Sequence, residues 1–210
     1  RTAPTPGNSL GLTIDIQLQS IAETAFGERR GAMVAIEPAT GAVLAFVSKP
    51  GFDPNLFVDG IDSASWAELN NSPDRPLNNR ALTGVYPPGS TFKPYMAIAA
   101  LELGKRTATQ TIQDPGYFMF GGRRFRDSKP SGHGTVDLYK SIVVSSDTYY
   151  YQLANDMGID AIAGYMKHFG FGARTGIDLE GEAIGVLPSP EWKMKRFRKP
   201  EQQKWYAGET

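Results

Sequence analysis

The chain has 210 residues and a mass of 22.9 kDa, the size of one domain, and with 40% apolar and 21% charged residues it reads as a packed fold rather than a disordered tract. Lys plus Arg equals Asp plus Glu at 22 each, which argues against a nucleic-acid binder. No apolar run reaches the roughly 20 residues of a membrane-spanning helix, no leader-peptide pattern is visible, and without cysteine the chain has no disulfide, thiolate metal ligand or cysteine nucleophile.

Residues 1–9, with two prolines and a glycine, read as a linker entering a domain over 10–210. Asp15 precedes Ile16, Leu18, Ile21, Ala22, Ala25 and Phe26, and Gly27 closes the stretch, which predicts a helix over about 15–26. Residues 32–47 hold two apolar runs around a Pro-Ala-Thr-Gly turn, a hairpin signal. Both faces are apolar: Met33 and Ala35 lie on one, Val34 and Ile36 on the other. Such a hairpin needs strands beside it and layers over it. No comparable strand run occurs elsewhere, so the sheet is expected to be completed by further chain.

Residues 50–89 read mostly as loop. A helix is predicted over 91–103, with Gly104 ending it, and residues 105–134 read as irregular. Helices follow at about 136–144, 148–157 and 159–168, with Asp147 as the natural N-cap of the second and Gly158 as its stop. Tyr149, Tyr150 and Tyr151 read as packing residues, His168 as a helix-end residue, and the five basic charges of 193–199 as a solvated face.

The chemistry-bearing residues begin with Ser90 and Lys93. A serine hydroxyl is a weak nucleophile and needs a base within hydrogen-bond reach. Positions i and i+3 share a helix face, so Lys93 can lie beside Ser90. Pro94 has no N–H for the Ser90 carbonyl, an arrangement that costs little only if Ser90 stands at the helix start. Pro87-Pro88-Gly89 turns the chain into that start. There Ser90 would sit at the positive end of a helix dipole, which favours an oxyanion. A second candidate is Ser145-Ser146-Asp147, whose polar groups would hold Lys93 in the same cleft and relay a proton. Lys93 is therefore expected to be buried.

Together Ser-x-x-Lys and the Ser-Ser-Asp triplet match part of a known motif set. With YPPGSTFKP (86–94), SSDTYYYQLANDMGID (145–160), GFDPNLF (51–57), PEWKMKRFRKP (190–200) and WYAGET (205–210), the chain resembles class B penicillin-binding proteins of the elongation type over roughly residues 10–210. The resemblance implies an α/β (α+β) fold of the penicillin-binding-protein and serine β-lactamase kind, with helices on an antiparallel sheet. It implies a peptidoglycan D,D-transpeptidase in which Ser90 is the nucleophile, Lys93 its base, and Ser145 and Asp147 the second motif. Stem peptides would be substrates and β-lactams acylating mimics. Elongation-machinery membrane proteins, including a glycosyltransferase, would be partners, at the periplasmic face of the inner membrane and anchored there by an N-terminal helix.

The family's third motif, Lys-Thr/Ser-Gly, is absent from these residues. In the family it lies downstream, on an edge strand that supplies one donor of the oxyanion hole, so the transpeptidase domain is expected to be incomplete here. A further constellation is Asp114, Asp127 and His133. The resemblance implies that some relatives place a zinc there, with a cysteine in the middle of the second motif. Here that residue is Ser146, a poor zinc ligand, so the expectation is a loop fixed by a hydrogen bond between His133 and Asp127 with no cofactor, and a zinc on Asp114, Asp127 and His133 is the alternative. A serine β-lactamase fits less well. Residues four after Glu180 and Glu182 are Ile184 and Val186, which cannot hold a hydrolytic water. An inert module that keeps the fold alone is the remaining alternative, against which Ser90, Lys93 and Ser145 argue.

Overall fold

In the computed structural model, which describes residues 5–210, Asp15 sets the entry to the first helix. The expected linker at 1–9 therefore lies partly outside the described residues; its described part has no regular structure and is exposed. The Asp15 carboxylate accepts from the N–H groups of Gln17 and Leu18, and helix α1 runs over Ile16–Phe26. Gly27, at φ 55°, ends it by donating to Glu23 and Thr24 carbonyls.

The chain divides into two compact units: one holds the residues up to Gly84 with Leu179–Ala183, the other Val85–Asp178 with Ile184–Thr210. In the first, β1 (Gly31–Ile36) pairs antiparallel with β2 (Val43–Lys49), with a bulge between Ala35 and Ile36. This is the predicted hairpin. Ala45 and Val47 are buried, while Met33, Val34 and Ile36 of β1 stay at least 39% exposed. Gln19 of α1 grips β2 with both ends of its amide: Nε2 donates to the Phe46 carbonyl (3.2 Å) and Oε1 accepts from the Phe46 N–H (2.8 Å). Residues 50–89 are less loop-like than expected. They contain α2 (Ser63–Asn71), capped by Asp62, and α3 (Arg80–Thr83), capped by Asn79. These short helices bury almost none of their own side chains, so their periodicity carries little signal.

In the second unit, α4 (Lys93–Glu102), α6 (Asp147–Met157) and α7 (Ile159–Met166) surround the core. Met96, Ala99 and Ala100 meet Tyr149, Leu153, Met157, Ile162 and Met166 there. Helix α5 (Leu138–Val143) leads into α6. The stretch 105–134 is not irregular: β3 (Ile112–Asp114) pairs with β6 (Gly134–Val136), and β4 (Tyr117–Phe120) pairs with β5 (Arg123–Arg126). The Gly121-Gly122 pair, both at positive φ, is a two-residue hairpin turn. Strands of three or four residues are too short to show an alternation. Gly132 is obligatory here, because a Cβ on it would lie 2.1 Å from the Asp114 carbonyl oxygen.

Helices α8 (Pro190–Arg196) and α9 (Pro200–Gln203) lead to a final 3-10 turn, Ala207–Glu209. The basic run is not wholly a solvated face. Lys193 is buried, bonded to the Lys204 carbonyl and paired with Glu209. The expected mixture of helices and antiparallel strands is thus present, the strands forming three two-stranded sheets among the described residues.

Candidate active site

Ser90 lies in a 3-10 turn, Gly89–Phe92, that runs directly into α4. Pro94 occupies the first turn of α4, where its missing N–H is harmless. The Ser90 carbonyl is taken instead by the Lys93 N–H, closing the tighter turn. Lys93 is buried, at 9% exposure. Its ammonium has three donors and three acceptors are in place: the Ser145 carbonyl at 2.7 Å, Ser145 Oγ at 3.0 Å and Asp147 Oδ1 at 2.6 Å. Ser145 Oγ in turn donates to Ser90 Oγ at 2.8 Å. The four residues singled out in the sequence therefore meet, and Lys93 reaches Ser90 through the hydroxyl of Ser145.

The turn between α5 and α6 presents these groups. Ser145 adopts φ 54°, a left-handed conformation that costs a non-glycine residue about 1 kcal/mol. Its N–H is bonded to Ile142 O and its carbonyl to Lys93. The N-cap of α6 is Ser146, not Asp147 as expected: Ser146 Oγ accepts from the Tyr149 N–H. Both residue types cap well, and the cap on Ser146 frees the Asp147 carboxylate for Lys93. Tyr150 packs its ring 5.6 Å from Lys93 Nζ, and its hydroxyl accepts from Ser141 Oγ. Burial raises the pKa of that phenol above its usual value, more than the Ser141 bond lowers it. Tyr149 and Tyr150 are packing residues as expected, whereas Tyr151 is 37% exposed. His168 follows α7 in a 3-10 turn and packs its ring on Tyr165.

Asp114, Asp127 and His133 stand directly behind this turn. Ser146 Oγ donates to Asp114 Oδ2 at 2.8 Å and lies 3.4 Å from Asp127 Oδ2. Asp127 also accepts from the N–H groups of Thr148 (2.8 Å) and Lys129 (3.1 Å), and Asp114 from Gly116 N–H (2.8 Å). Burial pushes the Asp127 carboxyl upward, but the bonds from Thr148, Lys129 and Ser128 outweigh it and hold the group well below the ordinary carboxylate range. The expected hydrogen bond between His133 and Asp127 does not form. Nε2 is 3.4 Å from Asp127 Oδ1, misaligned, and has no hydrogen-bond partner. The loop is fixed by backbone N–H groups instead.

One ligand atom from each of the three residues lies within 4.8 Å of the others, and the unpartnered His133 nitrogen is of the type a metal takes. A structural zinc site closes with four ligands. The fourth corner here is Ser146, a neutral hydroxyl already spent on Asp114. The residues present do not make a closed zinc site. Their part is to tie β3 and the 127–133 loop to the start of α6. The resemblance set Ser146 beside Asp114, Asp127 and His133 but not as the N-cap of α6, and the sequence offered no sign of the left-handed turn at Ser145.

No helix among the described residues is long and apolar enough to cross a membrane. The family model for the penicillin binding protein transpeptidase domain matches residues 31–202. The peptidoglycan D,D-transpeptidase MrdA of Acinetobacter baumannii is 51% identical over 212 residues, covering 100% of this chain and 31% of that protein. The crystal structure of Pseudomonas aeruginosa PBP2 in complex with WCK 5153 superposes with a TM-score of 0.88 at 50% identity, covering 94% of this chain and 44% of that one. PBP2 of Helicobacter pylori, solved in complex with MreC, superposes at 0.87 with 35% identity, covering 93% and 36%. The chain thus spans about a third of the length of the curated relative. The serine–lysine constellation of α4, the turn before α6 and the match over 31–202 converge, and the chain belongs to the penicillin-binding protein transpeptidase family.

Proposed function

We propose that the complete protein carrying this chain is a peptidoglycan D,D-transpeptidase of cell elongation, working through an acyl-enzyme on Ser90. The observation that carries this is the unbroken path from Ser90 Oγ through Ser145 Oγ to Lys93 Nζ, anchored by Asp147. As an ammonium, Lys93 donates along this path. Once it has shed one proton, the path runs the other way: Ser90 gives its proton to Ser145, and Ser145 gives its own to Lys93. Ser90 Oγ then bonds to the carbonyl carbon of a penultimate D-Ala. The C–N bond breaks and terminal D-Ala leaves as an amine, protonated through the same path. An amine of a second stem peptide attacks the ester, forms the new amide and returns the proton to Ser90. A β-lactam opens on the same oxygen but leaves no departing amine. Asp147 holds Lys93 in register, and the N-terminal end of α4 faces the developing oxyanion.

The MreC complex of the Helicobacter pylori relative supports a place among elongation-machinery membrane proteins, with a glycosyltransferase as a further partner. In this reading the complete protein works at the periplasmic face of the inner membrane, held by an anchor helix. The test is labelling of the complete protein with fluorescent penicillin, followed by peptide mass spectrometry. A penicilloyl adduct on Ser90, lost in Ser90→Ala, is expected. An adduct on any other residue would overturn the assignment.

A further inference from the structure

Lys93 has a neighbour that the proton relay does not use. Asp147 and Tyr150 stand three residues apart in α6 and so share one face of that helix. Asp147 puts a carboxylate oxygen 2.6 Å from Lys93 Nζ, and Tyr150 puts its ring centre 5.6 Å from the same atom. The oxygens within hydrogen-bond distance of Nζ all come from Ser145 and Asp147. The ring is a contact of another kind, and packing fixes it. Tyr150 is buried, its hydroxyl is bonded to Ser141 Oγ at 3.2 Å, and the Tyr149 ring meets it edge-on at 5.4 Å. Ser141 of α5 is itself fully buried.

The chemistry asks two things of Lys93 Nζ. As an amine, it must aim its lone pair at Ser145 Oγ, because the proton from Ser90 arrives there. Its remaining N–H groups then keep the Ser145 carbonyl and Asp147. As the proton arrives, Nζ must carry a full charge on a side chain that is almost wholly buried. A water molecule beside Nζ would serve the second need and spoil the first, since water donates to a lone pair as readily as Ser145 does. An aromatic face serves both. Its π cloud attracts a cation within about 6 Å, and the face has no N–H or O–H to offer a lone pair. An aliphatic side chain would exclude water but give the cation nothing.

We infer that Tyr150 is a positioning residue for the acylation step: acting through Lys93, its ring keeps water off Nζ and steadies the ammonium that forms as Ser90 attacks. The inference rests on the transpeptidase reading and adds to it an aromatic requirement outside the Ser90, Lys93, Ser145 and Asp147 set. One face of α6 then serves Lys93 twice, with the hydrogen-bonding charge of Asp147 and with the dry, electron-rich face of Tyr150.

The test uses the complete protein and stopped-flow acylation by penicillin, which separates the encounter constant from the acylation rate constant. Tyr150→Leu and Tyr150→Met keep an apolar, helix-compatible side chain and remove the ring. In both, the acylation rate constant should fall by about tenfold, the scale of one cation–π contact away from water, with the encounter constant within about twofold of the parent. Tyr150→Phe keeps the ring and loses the bond to Ser141, so it should retain acylation to within about threefold. All three should lower the urea midpoint. Met157→Ala, in the core at the far end of the same helix, should lower the midpoint too and leave both constants within about twofold. A rate that follows the ring and not the urea midpoint is a result that packing alone does not give. The inference is overturned if Tyr150→Phe loses as much rate as the aliphatic variants, if those lose no more than Met157→Ala, or if the loss falls on the encounter constant. Penicillin labelling of Ser90 in the parent tests the transpeptidase reading separately. A labelled parent whose variants follow one of these overturning patterns loses only the role of Tyr150.

Discussion

Ser145 Oγ stands 2.8 Å from Ser90 Oγ, and the residue that supplies it is held at φ 54°. The hydroxyl bonded to Ser90 thus sits on a backbone that a serine does not favour. Ser145→Gly should raise the stability of the domain by up to about 1 kcal/mol, since glycine adopts this conformation without strain. The same change removes the hydroxyl and should cut penicillin acylation by about 10²–10⁴-fold. Denaturant melts and stopped-flow acylation on one preparation check both signs. A gain in stability with acylation intact would remove Ser145 from the relay.

Lys93→Ala should slow acylation far more than it weakens the initial encounter with the drug, because the lysine acts in the chemical step. Stopped-flow traces resolve the two constants. An unchanged acylation rate with a poorer dissociation constant would contradict the role.

Asp147→Ala leaves the buried Lys93 ammonium with two acceptors from one serine and no counter-charge. The carboxylate side chain is 29% exposed, so water replaces part of it. A loss of about 1–3 kcal/mol is expected. Asp147→Asn keeps an oxygen acceptor and should lose less. Urea midpoints for the two variants decide this, and equal losses would mean that Asp147 does not serve Lys93.

Ser146→Cys should turn the three-ligand cluster behind the active-site turn into a four-ligand zinc centre, as a thiolate then fills the corner held by a neutral hydroxyl. Thermal melts with zinc and with a chelator should separate clearly for the variant and little for the parent protein. Equal separation in both would show that the hydroxyl already suffices.

Gly132→Ala should destabilise the domain by more than about 2 kcal/mol. The new methyl meets the Asp114 carbonyl oxygen at 2.1 Å, and the residue sits at φ 71°. Acylation should fall with it, because Asp114 anchors Ser146. A variant as stable as the parent would show that this loop yields without cost.

What could be read from the sequence follows the length scale of each signal. Helix α1 was legible from Asp15 and Gly27, and α6 from its periodicity and Gly158, because caps and a 3.6-residue repeat are local and repeated. The Ser90–Lys93 pair was legible because Pro94 makes sense only at a helix start. The strands of residues 112–136 were not, being three or four residues long, although Gly121-Gly122 is a hairpin signal in its own right. Asp147 was assigned the cap that Ser146 holds. Two adjacent cap-formers cannot be ranked locally, and the buried Lys93 52 to 54 residues upstream decides between them. The placement of Asp114 and Asp127 against Ser146 is tertiary in the same way, and no spacing announces it.

The grip of Gln19 on Phe46 gives the β1–β2 sheet a direction. A primary amide offers one donor and one acceptor side by side, the same pair that a neighbouring strand presents. By occupying both backbone groups of Phe46, α1 stands in for a strand and closes that margin to any other chain. The opposite margin belongs to β1, which pairs with no strand but β2 among the described residues. Any strand that enlarges this sheet must join along β1. The hairpin is therefore a template with one live edge, and its assembly can proceed in a single sense.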